Sequence, residues 1–502
     1  MKNAIDLKSD FKFEFKDTLR IAIFEFFICV VIIFSLFKIL PISISRILTL
    51  CILMVFFISI KIFDTSFKSV KFSYYLISIL PFIYYTEYLF LPNFIDYFFI
   101  GTFIVFIFIN SKNKNLFKNF SLFIKNNKIL FLFLLFLLSI IIWSFISIIW
   151  AKSIYRVFVR LQFLFYALLI FLFFSFILFT GNLSSLSLTL FISAILLIVI
   201  GLIEVLLDIH FPASAHSRSS VPFVPGGLSS NINNYSTIIF TGLFYILYFI
   251  SNLKIKFRNI LNIIFFFVFS FITFYIVIKA NSRANIIAVV LFFSVSIICF
   301  YFFEILKVSE KFKKNKKILL IIFSVFIILL LFVIIFYSFK QIILQKINFV
   351  KNELRSSKTE SQSSDQIRIN LIRNGLIMLK NSHFLGVGAG NFIVYAKDYS
   401  QNYYNTLGIT DSHNLWLEML VDYGVIIFSF FVFLYIILLV KSLKLFFSSN
   451  KNFSQRAKYL YSFSALSGFT VSSLSPSNIV ASPIMWIFLS FIALVLTKEY
   501  GE

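Results

Sequence analysis

The chain has 502 residues, 60% of them hydrophobic and only 13% charged, with a formal net charge of +24. A soluble domain carries roughly 25% charged residues, and a water-soluble fold of this length could not hide so much apolar surface. The positive charge does not mark a nucleic-acid binder. Lys and Arg gather in short loops between apolar runs, as at Lys112, Lys114, Lys118, Lys125 and Lys128 and at Lys307, Lys311, Lys313, Lys314, Lys316 and Lys317, and form no basic stripe elsewhere. Loops of that kind orient membrane helices, with the Lys/Arg-rich side facing the cytoplasm.

Residues 1–20 are polar and basic, and the apolar run behind them has no small-residue cleavage pattern, so the first span is expected to stay as an anchor. Apolar segments follow at 21–40, 44–63, 72–91, 94–109, 129–150, 157–179, 186–207, 235–251, 260–280, 285–303, 318–338, 423–440, 459–475 and 483–497. Most can cross a hydrocarbon core of roughly 30 Å. The count is fourteen, or twelve if the short 94–109 and 483–497 runs are re-entrant. The fold expected is an all-α polytopic membrane protein of about 12–14 transmembrane helices with one large extracytoplasmic loop. Its parts are a bundle over 1–338, the loop over 339–414 and C-terminal spans over 415–502. With the N-terminus inside, residues 208–234, the turn at 279–284 and the 339–414 loop share the outer face.

The loop begins with the Ser-rich tract KNELRSSKTESQSSDQ. The spacing of Ile369, Ile372, Leu376 and Leu379 then predicts an amphipathic helix over 367–381. The glycine turn GVGAGN at 386–391 follows, and DSHNLWLEMLVDYG leads into the next span. Cys29, Cys51 and Cys299 all fall in apolar runs, so neither a disulfide framework nor a zinc site is expected. No phosphate loop, H-E-x-x-H or G-x-S-x-G motif occurs, and His210, His216, His383 and His413 form no ligand cluster; no metal and no cofactor are expected. The few carboxylates in or near apolar runs, Glu25, Glu87, Glu204 and Glu304, argue against a proton-coupled transporter.

His413 stands where the outer loop turns into a helix, with Asp411 or Ser412 as candidate N-caps. A helix N-terminus disfavours positive charge, and a neutral imidazole can take a proton from a hydroxyl. An ordinary cap histidine is the other reading. Asn414, Glu418 and Asp422 follow at four-residue intervals on one helix face. Arg283, in the turn NSRAN, is either a snorkelling anchor or an anion ligand. Arg368 and Arg373 offer planar forks suited to phosphate oxygens, or simply a solvated helix face. Gly386, Gly388 and Gly390 could bring amides to an anion, or could form a plain tight turn. Loop counting places Arg283, Arg368 and His413 on one outer face, which would suit a diphosphate leaving group and a hydroxyl nucleophile.

At these residues the chain resembles the O-antigen ligase and polymerase family of bacterial membrane glycosyltransferases. The resemblance rests on Ser282-Arg283 opening a helix, on Arg368 followed by INLIRNGLIMLKNSHFLGVGAGNF, and on His413-Asn414 before LWLEMLVDYG, over about residues 280–440. It implies a cell-envelope polysaccharide enzyme in the inner membrane with its site facing outward. The donor would be a glycan on undecaprenyl pyrophosphate and the acceptor another glycan or a lipid A core. Arg283 and Arg368 would hold the diphosphate, and His413 would activate the acceptor for inverting, metal-free transfer. Arg218, Arg373, Asn414, Glu418, Gly386 and Gly388 would line the substrate. Two departures stand out: Phe384 where the family often has proline, and Ile232 within an otherwise Asn-Pro-Asn pattern. The rival class is a flippase for lipid-linked oligosaccharides, which needs no large outer loop.

Overall fold

The computed structural model describes residues 15–36, 48–49, 51–53, 101–102, 114–180, 183–210, 223–229, 231–253, 258–308, 364–398, 404–448 and 453–497. The spans expected at 44–63, 72–91, 94–109 and 318–338 fall almost wholly outside these residues, as do Arg218 and the Ser-rich tract.

Thirteen α-helices are formed by the described residues, and no strand occurs among them. They are α1 (Phe15–Leu36), α2 (Lys114–Asn126), α3 (Lys128–Ser147), α4 (Ile154–Phe179), α5 (Leu183–Leu207), α6 (Ile232–Asn252), α7 (Arg258–Lys279) and α8 (Arg283–Val308). After them come α9 (Ser364–Asn381), the short α10 (Phe392–Ala396), α11 (Leu415–Ser448), α12 (Phe453–Ser472) and α13 (Pro483–Val495). Seven of them, α3 to α8 and α11, contain stretches long and apolar enough to cross a membrane, which makes the chain a multi-pass membrane protein. α13 is apolar but has only 13 residues.

Helices dominate because lipid offers no partner for a free amide or carbonyl, so each span must close its own hydrogen bonds. Short turns then make consecutive spans antiparallel. α8 lies along α12, α6 against α5 and α12, α11 against α12 and α3, and α4 between α3 and α13. The core is aromatic and aliphatic, with Phe133 stacked on Phe171 at 4.9 Å and Phe469 against Phe488 at 4.8 Å. Polar side chains stitch α6, α8 and α12: Asn285 Nδ2 donates to Thr237 Oγ1 at 3.2 Å, and the Ser472 hydroxyl donates to the same oxygen at 3.2 Å.

The structure adds detail to two of the expected helices. The span expected at 423–440 is the middle of α11, which starts at Leu415 and changes direction at Gly424 (φ 75°, ψ 178°). The segments on either side of the kink, residues 415–423 and 425–448, are thus two helical pieces joined at Gly424. In α9 the inward face consists of Ile367, Asn370, Leu371, Asn374, Gly375 and Met378 with Leu379. Ile369, Ile372 and Leu376 face outward, because the ground α9 packs on is polar at its edge: Asn370 and Asn374 donate to the carbonyls of Asn405 and Tyr404.

Candidate functional site

One end of the bundle collects the start of α4, the end of α5, the starts of α6 and α8, the start of α11 and the end of α12. The Lys-rich segments around Lys125 and Lys128 and around Lys441 and Lys444 lie at the opposite helix ends.

His413 occupies the last loop position but one before α11, in a left-handed backbone conformation (φ 47°). Histidine is among the few residues that enter this region without severe cost. The loop is fastened from both sides. Asn414 is the helix cap, its Oδ1 accepting from Trp416 N at 3.0 Å and Leu417 N at 3.3 Å, and Leu415 N donates to Ser473 O at 3.0 Å. Asp411 and Ser412, the expected caps, do not fill that role: Ser412 Oγ reaches only the backbone of Asn414. The backbone of Ser475 hydrogen-bonds the imidazole, while Nδ1 is buried and has no partner among the described residues. Burial, opposed by Asp411 but helped by the positive Arg368, pulls the His413 pKa below the ordinary histidine value. The ring is neutral near pH 7.

Arg283 opens α8, and its Nη1 donates to both oxygens of Asp365 in the first turn of α9 at 3.0 Å. That pair lies largely in solvent. Arg368, three residues further along α9, is half-buried and feels both Asp365 and Arg283. Burial is the main cause of its lowered pKa; Asp365 opposes the shift and the like charge of Arg283 adds to it. An arginine in this condition would be stabilised by an added anion. Arg283, Arg368 and His413 thus share one electrostatic neighbourhood. Arg373 points elsewhere, over the ring of Tyr404 at 5.1 Å.

Behind His413 stands a loop that sequence reasoning missed. Ser475 Oγ lies 3.4 Å from Ser282 Oγ, which donates to Asn233 Oδ1 at 2.9 Å. Ser477 is held by Asn231 and Asn234, and Asn478 (φ 57°) accepts from Arg160 Nη2 at 3.0 Å. The signal was the SPSN tetrapeptide between two spans, a turn composition. Asn231 caps α6, so Ile232 occupies the first helical position, the one proline favours; the departure there leaves the cap and the Asn233 contact in place.

Arg160 was missed as well. It is buried in α4, with Nη1 2.8 Å from Glu418 and Nη2 3.7 Å from Asp422. Glu418 therefore faces inward to Arg160. Asp422 in turn accepts from the amides of Gly390 at 3.0 Å and Phe392 at 2.8 Å. The glycine turn is accordingly a docking element. Val387 and Gly388 amides donate to the carbonyls of Val421 and Asp422, and Ala389 N donates to Ser147 Oγ. Neither Gly386 nor Gly388 presents a cradle to a ligand: a Cβ on Gly386 would fall 2.5 Å from Gly424 N, which is the close approach that requires glycine there. Phe384 has φ 62°, a conformation closed to proline, which accounts for the departure at that position. A separate cluster lies at the end of α5, where Glu204 accepts from Gly226 and Gly227 amides and His210 stands between Glu204 and Asp208.

Residues 266–432 match a family model described as O-antigen ligase. A stretch of 131 residues is 28% identical to the teichuronic acid biosynthesis protein TuaE of Bacillus subtilis (strain 168), covering 26% of this chain and 26% of that protein. The matched residues 266–432 contain Arg283, Arg368, His413 and the buried carboxylates of α11, so the likeness to the O-antigen ligase family covers the candidate site.

Proposed function

We propose that the chain is a membrane glycan transferase of cell-surface polysaccharide assembly, acting as an O-antigen polymerase or ligase. The observation that carries this reading is the meeting of Arg283, Arg368 and a neutral His413 at the helix ends remote from the Lys-rich loops. By the positive-inside rule that end faces away from the cytoplasm. The family match and the name of the B. subtilis relative support a polysaccharide product.

In this reading the donor is a glycan on undecaprenyl pyrophosphate and the acceptor is a hydroxyl of a second glycan or of a lipid A core. The unprotonated ring nitrogen of His413 takes the proton from that hydroxyl as its oxygen attacks the anomeric carbon. The bond from that carbon to the diphosphate oxygen breaks, and the lipid diphosphate leaves with the electron pair. Arg283 and Arg368 hold its growing negative charge, as planar guanidinium forks suit phosphate oxygens. Attack from the face opposite the leaving group inverts the anomeric centre, and no metal takes part. Asn414 and the serines of the 475–478 loop shape the ground on which the acceptor lies, and the proposed substrate contacts no longer include Glu418, Gly386 or Gly388.

The test is transfer by the purified full chain in proteoliposomes supplied with lipid-linked glycan and acceptor. Loss of a positioned general base removes about 10²–10⁴-fold of rate, so His413→Ala should lose transfer while still binding donor. If His413→Ala kept more than about a tenth of the rate, far above that range, the base would have to be sought elsewhere.

A further inference from the structure

The outward face of α9 is apolar where a loop helix in water would be polar. Ile369, Ile372 and Leu376, at helical spacing, are 44, 39 and 50% exposed. Arg373 and Lys380 are exposed on the same face beside them. An aliphatic stripe bordered by basic residues is the pattern of a helix lying in a membrane interface.

What covers the stripe follows from where it leads. The turn after α9 carries Phe384 and Leu385, both exposed. The Phe384 carbonyl accepts from Val425 N at 3.0 Å. Val425 and Ile426 begin the exposed apolar side of α11, which continues through Phe433, Ile436 and Val440. That side belongs to a membrane-spanning helix and faces lipid. The apolar surface of α9 is therefore the upper continuation of a lipid-facing surface, with a bonded turn between the two. The depth is marked as well: Trp150, just past the end of α3, donates its indole N–H to Gly386 O at 2.8 Å. Tryptophans at helix ends sit at headgroup level.

We propose that α9 is an interfacial helix, with Ile369, Ile372 and Leu376 seated in the headgroup–acyl boundary of the bilayer at the site end, Lys380 turned to the lipid phosphates and Arg373 beside them over the Tyr404 ring. The bilayer, together with the polar contacts of Asn370 and Asn374, then fixes the depth of the helix that carries Arg368. The seat does not depend on which substrate the site takes.

Single cysteines introduced as Ile372→Cys, Leu376→Cys and, at an exposed position of the 404–414 segment, Leu407→Cys can each carry an environment-sensitive NBD fluorophore in the full chain in proteoliposomes. The unsubstituted chain with its own Cys29, Cys51 and Cys299 supplies the background to subtract. The label at 372 and 376 should emit to the blue of the label at 407. Phospholipids brominated in the upper acyl chain should quench both, and aqueous iodide should spare them; the label at 407 should behave the opposite way. Quenching of 372 and 376 by iodide to the extent seen at 407 would place the stripe in water. Protection from both quenchers would place it under another protein surface. Either result overturns the proposal.

Discussion

Two arginine centres share the site end of the bundle, and the protein treats them differently. Arg160 is 5% exposed, and both of its terminal nitrogens are taken up, by Glu418 on one side and by Asn478 and Asp422 on the other. Among the described residues Arg283 and Arg368 share a single carboxylate, Asp365, between them, and Arg368 is half-buried beside a like charge. The first centre is closed and holds protein to protein: it ties α4 to the kinked start of α11 and to the loop behind His413. The second has charge to spare. A guanidinium in a membrane protein is thus assigned by what saturates it, and the unsaturated pair is the one suited to an outside anion.

Removing the closed centre should have the largest effect. Breaking a buried ion pair from one side leaves an uncompensated charge and costs about 3–5 kcal/mol. Arg160→Met should therefore lower the yield of monodisperse protein in detergent and its melting temperature, and adding Glu418→Gln should recover part of both. If Arg160→Met melted like the parent, the closed centre would not be structural. Next in size is the open pair. Arg283→Lys and Arg368→Lys keep the charge but lose the fork, and hydrogen bonds to charged groups contribute about 1.5–3 kcal/mol each. Transfer should drop about ten- to hundredfold, with the melting temperature unchanged and donor binding weakened. Equal activity in both lysine variants would reduce the pair to surface anchors.

The smallest effect is on pH dependence. In the proposed mechanism the neutral imidazole is the working form of His413, and its pKa is pushed below the ordinary 6.5. The midpoint of its protonation, and with it of the loss of kcat/KM, should then lie below pH 6.5. Part of that depression comes from Arg368. Arg368→Gln should move the acid limb upward, toward the ordinary histidine range, in a pH–rate profile of the residual activity. An unmoved limb would separate His413 from the open pair.

The open centre was legible from sequence, and the closed one was not. Counting spans and Lys/Arg-bearing loops places Arg283, Arg368 and His413 on one face, because alternation of short-looped helices is a rule of topology rather than of contact. Arg160 sits in the apolar run IYRVFVRLQF and looks like any interfacial arginine. Its meaning lies in partners contributed by α11 and by the loop before α13, which no local periodicity reports. Of Asn414, Glu418 and Asp422, read from their four-residue spacing as one helix face, the two carboxylates turn toward Arg160, while Asn414 stands ahead of the helix as its cap. Three neighbouring residues of DSHN could each cap a helix, and packing against Ser473 selected the last. In α9 the period of the stripe was visible, but periodicity reports only that an apolar face exists. Whether protein or lipid covers it depends on where the helix docks.

The contact between Arg160 and Asn478 spans 318 residues of chain, and this bears on how the protein is made. At about 5–20 residues per second, that interval of synthesis lasts roughly 16–64 s. During it α4 is already in the bilayer with an unpaired cation, tolerable because Arg160 lies near a helix end and its stem can lift the guanidinium toward water. When α11 and the 475–478 loop arrive, the charge is drawn inward and the pocket behind His413 takes shape. Under the proposed function a nascent chain therefore acquires its chemistry late, once α11 and α12 have been inserted, so incomplete products would be catalytically silent in the membrane.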